Sequence, residues 1–273
     1  MSFHKSFDAD TSDATALQHH IKSGKTAYIA TGKVTGNAYT PALMKYNGTT
    51  GSYLKSHTNS GNLVTVICRI AAATLAGTSS RYIIRINGVS SFVRASLLIL
   101  DSTHTDTTAR NKLRFRCVSS ANVALVDIIT TSDITDGLPH TVFAAFNSTT
   151  GAATFVVDGI AVDDTGWANR VAPTTGTLEA GTGDCVVGAA SATPTNPYDG
   201  QIGFFGYRDA YLTNWSDFMR SDGSPIAQAE SGAWGGWGAQ PLFWNEHGQM
   251  DNNLGSAGNM TRNGTIVVGK GGT

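Results

Sequence analysis

Charge is scarce in this chain of 273 residues: 14% are Asp, Glu, Lys or Arg, against about a quarter in an ordinary globular protein. A chain kept disordered by its own charge is thereby excluded. No excess of one sign compensates. With 19 basic and 20 acidic residues, for a net charge of −1, no basic field is available to displace counterions from a phosphate backbone, and no nucleic acid partner is expected. Long apolar runs are missing too. The longest, Asn62 to Gly77, is interrupted by Arg69 and falls short of the roughly 20 residues that span a bilayer, so no membrane partner is expected. Residues Met1 to Asp10 lack the apolar segment of a signal peptide, so the classical secretory route is not expected either. Cysteine is limited to Cys68, Cys117 and Cys185. An odd number without a Cys-x-x-Cys spacing reads as separate, reduced, buried thiols in a chain made in a reducing cytosol.

Glycine and threonine are abundant instead, 31 and 34 residues respectively, which suits pleated strands joined by tight turns. The first 25 residues read as an arm with one short helix, capped by Ser12, carrying Leu17 and Ile21 on one face and closed by Gly24. From Thr26 to about Thr213 the hydrophobic period is two. In Leu63 to Ile70, Val64, Val66, Cys68 and Ile70 point one way and Thr65 with Arg69 the other, predicting a half-buried strand. Arg81 to Ile86 predicts Tyr82, Ile84 and Ile86 inward with Arg81 and Arg85 outward. Lys112 to Val118 sets Leu113, Phe115 and Cys117 against Arg114 and Arg116. Further strands are predicted at Ala121–Thr130, Thr141–Phe146, Thr154–Val157, Ile160–Val162, Val186–Ala189 and Gln201–Tyr207, with Asn87-Gly88 and Asp158-Gly159 as hairpin turns. The fold class is all-β, a two-sheet antiparallel jelly-roll sandwich over residues 26–213, flanked by the arm and by a Trp/Gly-rich C-terminal extension over residues 214–273.

Three stretches of the central region resemble the laminin G-like, concanavalin A-like jelly rolls. They are Tyr46-Asn-Gly-Thr-Thr-Gly-Ser-Tyr-Leu54, then Asp136-Gly-Leu-Pro-His-Thr-Val-Phe-Ala-Ala-Phe146 with Gly151-Ala-Ala-Thr-Phe-Val-Val-Asp-Gly159, and last Tyr198-Asp-Gly-Gln-Ile-Gly-Phe-Phe-Gly-Tyr-Arg208. Pro139 stands where that family usually has Trp, and Gly203 where Asp is common. The tail, Gly236-Trp-Gly-Ala-Gln-Pro-Leu242 followed by Asn253 to Gly264, is similar to the end of such proteins from tailed bacteriophages. The resemblance implies a structural virion protein, a capsid decoration or a head-fibre or tail-fibre component, assembled in the host cytoplasm. Its implied partners are other virion proteins or its own subunits in a homo-oligomer, and a host cell-surface glycan. A free carbohydrate-binding module is the alternative, with a polysaccharide hydrolase behind it.

Catalysis finds little support in the residues. Glycoside hydrolysis needs two carboxylates across the scissile bond; the only glutamates, Glu179, Glu230 and Glu246, have no acidic neighbour two or four positions away. No catalytic residue is therefore assigned, and the protein is read as a non-enzyme. His140 is expected to pack or bond at a strand start. Gly264 to Lys270 imitates a phosphate loop but is followed by Gly271 and no helix. Calcium, which many laminin G-like domains hold at loop carboxylates, has candidate ligands in Asp101, Asp106, Asp163 and Asp164; no other cofactor is expected. For glycan binding the candidates are the indoles of Trp234, Trp237 and Trp244 and the outward guanidiniums of Arg81, Arg85, Arg114 and Arg116. Packing of the indoles and a solvated arginine face are the competing readings. Apolar anchors for assembly are Phe3, Phe7, Leu17 and Ile21 in the arm.

Overall fold

Every strand pairing in the computed structural model is antiparallel, as alternating segments joined by short turns require. The structure describes residues 26–29, 32–35, 44–48, 51–72, 80–89, 93–162, 171–191, 195–226, 234–245, 253–264 and 266–268. The predicted arm helix and the anchors Phe3, Phe7, Leu17 and Ile21 lie outside them. Two units are present, residues 1–40 and 41–273. In the first, strands β1 (Thr26–Ile29) and β2 (Gly32–Thr35) form a hairpin with Thr26 opposite Thr35.

The second unit is a sandwich. Its strands are β3 (Met44–Asn47), β4 (Ser52–Asn59), β5 (Leu63–Ala71), β6 (Arg81–Asn87), β7 (Val93–Ile99), β8 (Leu113–Val118), β9 (Ala124–Ile129), β10 (Pro139–Asn147), β11 (Ala152–Val157) and β12 (Ile160–Ala161). After them come β13 (Gly181–Val187), β14 (Asp199–Arg208), β15 (Phe243–Asn245), β16 (Thr261–Asn263) and β17 (Val267–Val268). One sheet runs β12-β11-β10-β5-β14-β3-β17, with β15 also paired to β14, and has eight strands; the other, of seven, runs β16-β4-β13-β6-β7-β8-β9. Sequence neighbours thus pair as hairpins on one side of the sandwich and cross between sheets on the other, as in a jelly roll. No helix among the described residues is long and apolar enough to cross a membrane.

The inner faces are those the alternation predicts. Val64, Val66, Cys68 and Ile70 from β5 meet Leu113, Phe115 and Cys117 from β8 in one buried cluster, and Phe115 lies 5.9 Å from Phe155. All three cysteines are free and buried. Cys185 and Cys117 share an inner row but are separated by Ile86 and Ala95, about 14 Å at the usual strand spacing, far beyond disulfide reach.

Two expectations are corrected. β5 is not half-buried: Thr65 and Ile67 on its other face are also fully inaccessible. The chain after β14 folds over that face, where the Thr65 hydroxyl donates to the Ala210 carbonyl (2.7 Å) and accepts from the Leu212 amide (3.1 Å). In β6 a bulge between Tyr82 and Ile84 shifts the register against β7, and a one-residue slip exchanges the faces of everything before it. Tyr82 therefore packs outside, against Leu98, Leu100, Ala109 and Ile129, while Arg81 falls in the row of Ile99 and Leu113, both core residues.

Candidate functional site

Two adjacent outward rows cross the seven-stranded sheet. One reads Tyr82, Leu98, Arg114, Ile129 and the next Arg85, Ser96, Arg116, Asp127. The structure thus unites three of the four predicted arginines, Arg85, Arg114 and Arg116, and separates Arg81 from them through the bulge. Arg85 and Arg116 flank Ser96, two strand spacings or about 10 Å apart.

Their charges are not equally engaged. Arg114 grips Asp127 with both arms of its guanidinium, Nε donating to Oδ1 at 2.7 Å and a terminal nitrogen donating to Oδ2. That hydrogen bond raises the arginine's pKa further against the opposing effect of burial. Asp127 is only 8% exposed. Arg116 reaches the same carboxylate at 3.9 Å through Nε, beyond hydrogen-bonding distance, and its side chain is 34% exposed. Arg85 donates to the Asn87 side chain (2.8 Å) and the Ala190 carbonyl (3.0 Å) and lies over the Tyr82 ring at 6.0 Å. Among the described residues this face carries Arg85, Arg114, Arg116 and the carboxylate of Asp127, which Arg114 holds with two hydrogen bonds. Chemically, such a face can receive an anionic group, because a guanidinium without a carboxylate of its own supplies charge-assisted, directional donors.

The tryptophans are placed elsewhere. Trp237 and Trp244 are 0% and 2% exposed, their rings 5.6 Å apart, with Trp237 also 5.0 Å from Phe218 and Trp244 5.6 Å from Phe204. They roof the outer face of the eight-stranded sheet, so neither offers a ring face to a sugar; Trp234 is half-buried beside them. Gly206 makes the roof possible, since a Cβ there would lie 2.3 Å from the Trp237 ring and 2.7 Å from that of Trp244.

Of the calcium candidates, Asp101 accepts from the amide and hydroxyl of Thr103, and Asp106 from those of Thr108. Both carboxylates serve local turns, and no cluster of three or more metal-ligating side chains occurs among the described residues. Asp163 and Asp164 lie outside them. His140 bonds at the start of β10, as expected, to Asp158 (2.6 Å) and Asp136 (3.0 Å). Asp127 and Ser96 were not foreseen. Asp127 sits in an otherwise apolar strand, and a lone charge in such a run is the signal by which it could have been found.

No family model matches the chain, and no curated protein matches it. Among solved structures it is similar to a candidate carbohydrate-binding protein of Bacteroides ovatus, at 13% identity and a TM-score of 0.55 over 86% of this chain and 61% of that one. It is also similar to a heptameric SAP-like pentraxin of Limulus polyphemus (15% identity, TM-score 0.45, 63% of this chain and 78% of that one). Domains LG4-5 of the mouse laminin α1 chain are a third relative in shape (15%, 0.44, 64% and 44%). At these identities the likeness is one of architecture: the chain is a two-sheet antiparallel jelly-roll sandwich.

Proposed function

We propose that this chain is a non-enzymatic carbohydrate-binding sandwich that serves as a structural component of a bacteriophage-type virion and meets an acidic glycan on the outer face of its seven-stranded sheet. The observation that carries the glycan reading is Arg116, whose side chain is 34% exposed and reaches Asp127 only at 3.9 Å, a carboxylate that Arg114 already holds with two hydrogen bonds. The fold shared with the Bacteroides ovatus protein supports carbohydrate as the ligand class. The virion reading rests on the resemblance of residues 236–242 and 253–264 to phage proteins.

Two measurements test the two halves. On an array of polysaccharides the full chain binds uronic-acid or sulfated polymers and passes over neutral glucans; binding confined to neutral sugars would remove the arginine face from the account. Mass spectrometry of purified particles from a phage that encodes the chain finds it at a fixed copy number. Its absence from the particles would leave a free carbohydrate-binding module as the function.

A further inference from the structure

Along one edge of the sandwich β9 closes one sheet and β12 the other, and a notch opens between the loop after β9 and β12. Its lining is mostly apolar, from Ile134, Val157, Ile160 and Val162, and its volume is about 150 Å³. An apolar cavity of this size holds one benzene-sized ring. At its rim Ile160 is 72% exposed and nearby Leu138 62%, so among the described residues nothing covers them. The surroundings are acidic: Asp133 and Asp158 line the notch, and its one cationic side chain among the described lining residues, His140, is held by Asp158 and Asp136.

The backbone adds a third feature. Asp158 and Gly159 form a two-residue turn, with Val157 opposite Ile160, and the Val162 amide donates to the Phe155 carbonyl at 2.7 Å. Ala161, opposite Val156 between those two bonded pairs, therefore turns its own N–H and C=O away from β11, toward the open edge. An extended segment alongside β12 gains a backbone rung there.

We infer that the N-terminal segment of a second copy of this chain fills the notch. Ser2-Phe-His-Lys-Ser-Phe7 has the chemistry required: taken as a strand, it carries Phe3, Lys5 and Phe7 on one face. One phenyl ring enters the cavity, the ammonium of Lys5 faces the Asp133, Asp136 and Asp158 carboxylates, and the main chain pairs with Ala161. Because the donor segment and the acceptor notch are different surfaces, the contact is head-to-tail and propagates into a ring or a fibre. The inference is independent of glycan binding.

The test mixes two full-length variants, Phe3→Cys and Ile160→Cys, under copper–phenanthroline oxidation. A disulfide-linked dimer should form in the mixture well above the level in either variant alone. In parallel, Phe3→Ser/Phe7→Ser should weaken self-association measured by sedimentation about tenfold or more, the scale of losing one buried aromatic ring, with an unchanged β-type circular dichroism spectrum. Absence of the mixed dimer would overturn the inference. So would a link formed only within single chains of the Phe3→Cys/Ile160→Cys double variant, or self-association that survives loss of both phenylalanines.

Discussion

Arg94 joins several parts of the sandwich. It sits at the bulge between Ile86 and Asn87 on the neighbouring strand and is fully buried. Its guanidinium donates to the carbonyls of Ser60 (2.9 Å), Gly61 and Leu63 (3.1 Å each) and Glu179, and pairs with Asp209 at 3.4 Å. Asp209 also accepts from the Tyr207 hydroxyl, whose oxygen lies 2.8 Å from Asn59 Oδ1, and Asn59 in turn bonds His57 Nε2 at 2.7 Å. Arg94→Leu strands these acceptors and a carboxylate together, so a loss of roughly 3–5 kcal/mol is expected, read as a lower urea midpoint. A loss under about 1 kcal/mol would show that the network contributes little.

Two histidines set the pH dependence at the same scale, in opposite directions. Burial lowers the pKa of His57, against the pull of its bond to Asn59. Its folded form binds fewer protons than the unfolded chain, so its contribution is complete above the ordinary histidine pKa of about 6.5 and falls away on acidification below it. The carboxylate of Asp158, and after it that of Asp136, raises His140. Its contribution is complete below about 6.5 and is lost as pH climbs through the raised folded value. Stability should therefore peak near neutrality, with His140→Gln flattening the alkaline side and His57→Gln the acid side. Denaturant midpoints across pH 5 to about 9 check this, and an alkaline slope unchanged in His140→Gln would contradict it.

At the scale of elements, β5 and β8 were legible because alternation over six or more residues marks both the strand and its inner face, and β10 and β11 were legible as strands from their apolar content and the turn between them. Val64 and Phe115 stand where the pattern sets them. What escaped was decided by contacts that alternation does not carry. The bulge at Tyr82 exchanged the faces of Arg81 and Tyr82, because one extra residue inverts the period without altering the composition. β7 (Val93–Ile99) escaped although Arg94 and Ser96 alternate with apolar residues, because the strand is buried along almost its whole length and its polar side chains lie inside the fold. The tail was expected as an extension, yet β15, β16 and β17 join both sheets; three short strands of two or three residues leave no periodic trace. The aromatic roof was foreseen only as the competing packing reading of the tryptophans. Its test is also elemental. Gly206→Ala forces a Cβ into two indoles and should cost about 1–3 kcal/mol, and Trp237→Ala about 3–5 kcal/mol, by thermal or urea melting. Neither substitution should change the glycan preference; a changed preference would return the indoles to the binding site.

For the whole molecule, charge is the organising quantity. A chain with net charge −1 has no field to attract polyanions at long range, so any acidic ligand must be recognised locally, by guanidiniums fixed on a rigid sheet. The proposed arginine face would meet that condition, since Arg114 and Asp127 hold each other while Arg116 stands 3.9 Å from that carboxylate. Part of this site was legible: Arg114 and Arg116 could be read as outward from the sequence, whereas the capture of Asp127 by Arg114, which makes Arg116 the available partner, depends on the pairing register of β8 with β9. The most direct measurement is calorimetric titration of the full chain with polygalacturonate and with its methyl ester, which shares the sugar backbone but lacks the charge. The account predicts heat of binding with the acid, weakened about tenfold or more by Arg116→Gln and by added salt, and little heat with the ester. Equal binding of the two polymers, or an Arg116→Gln variant that titrates like the wild type, would contradict it.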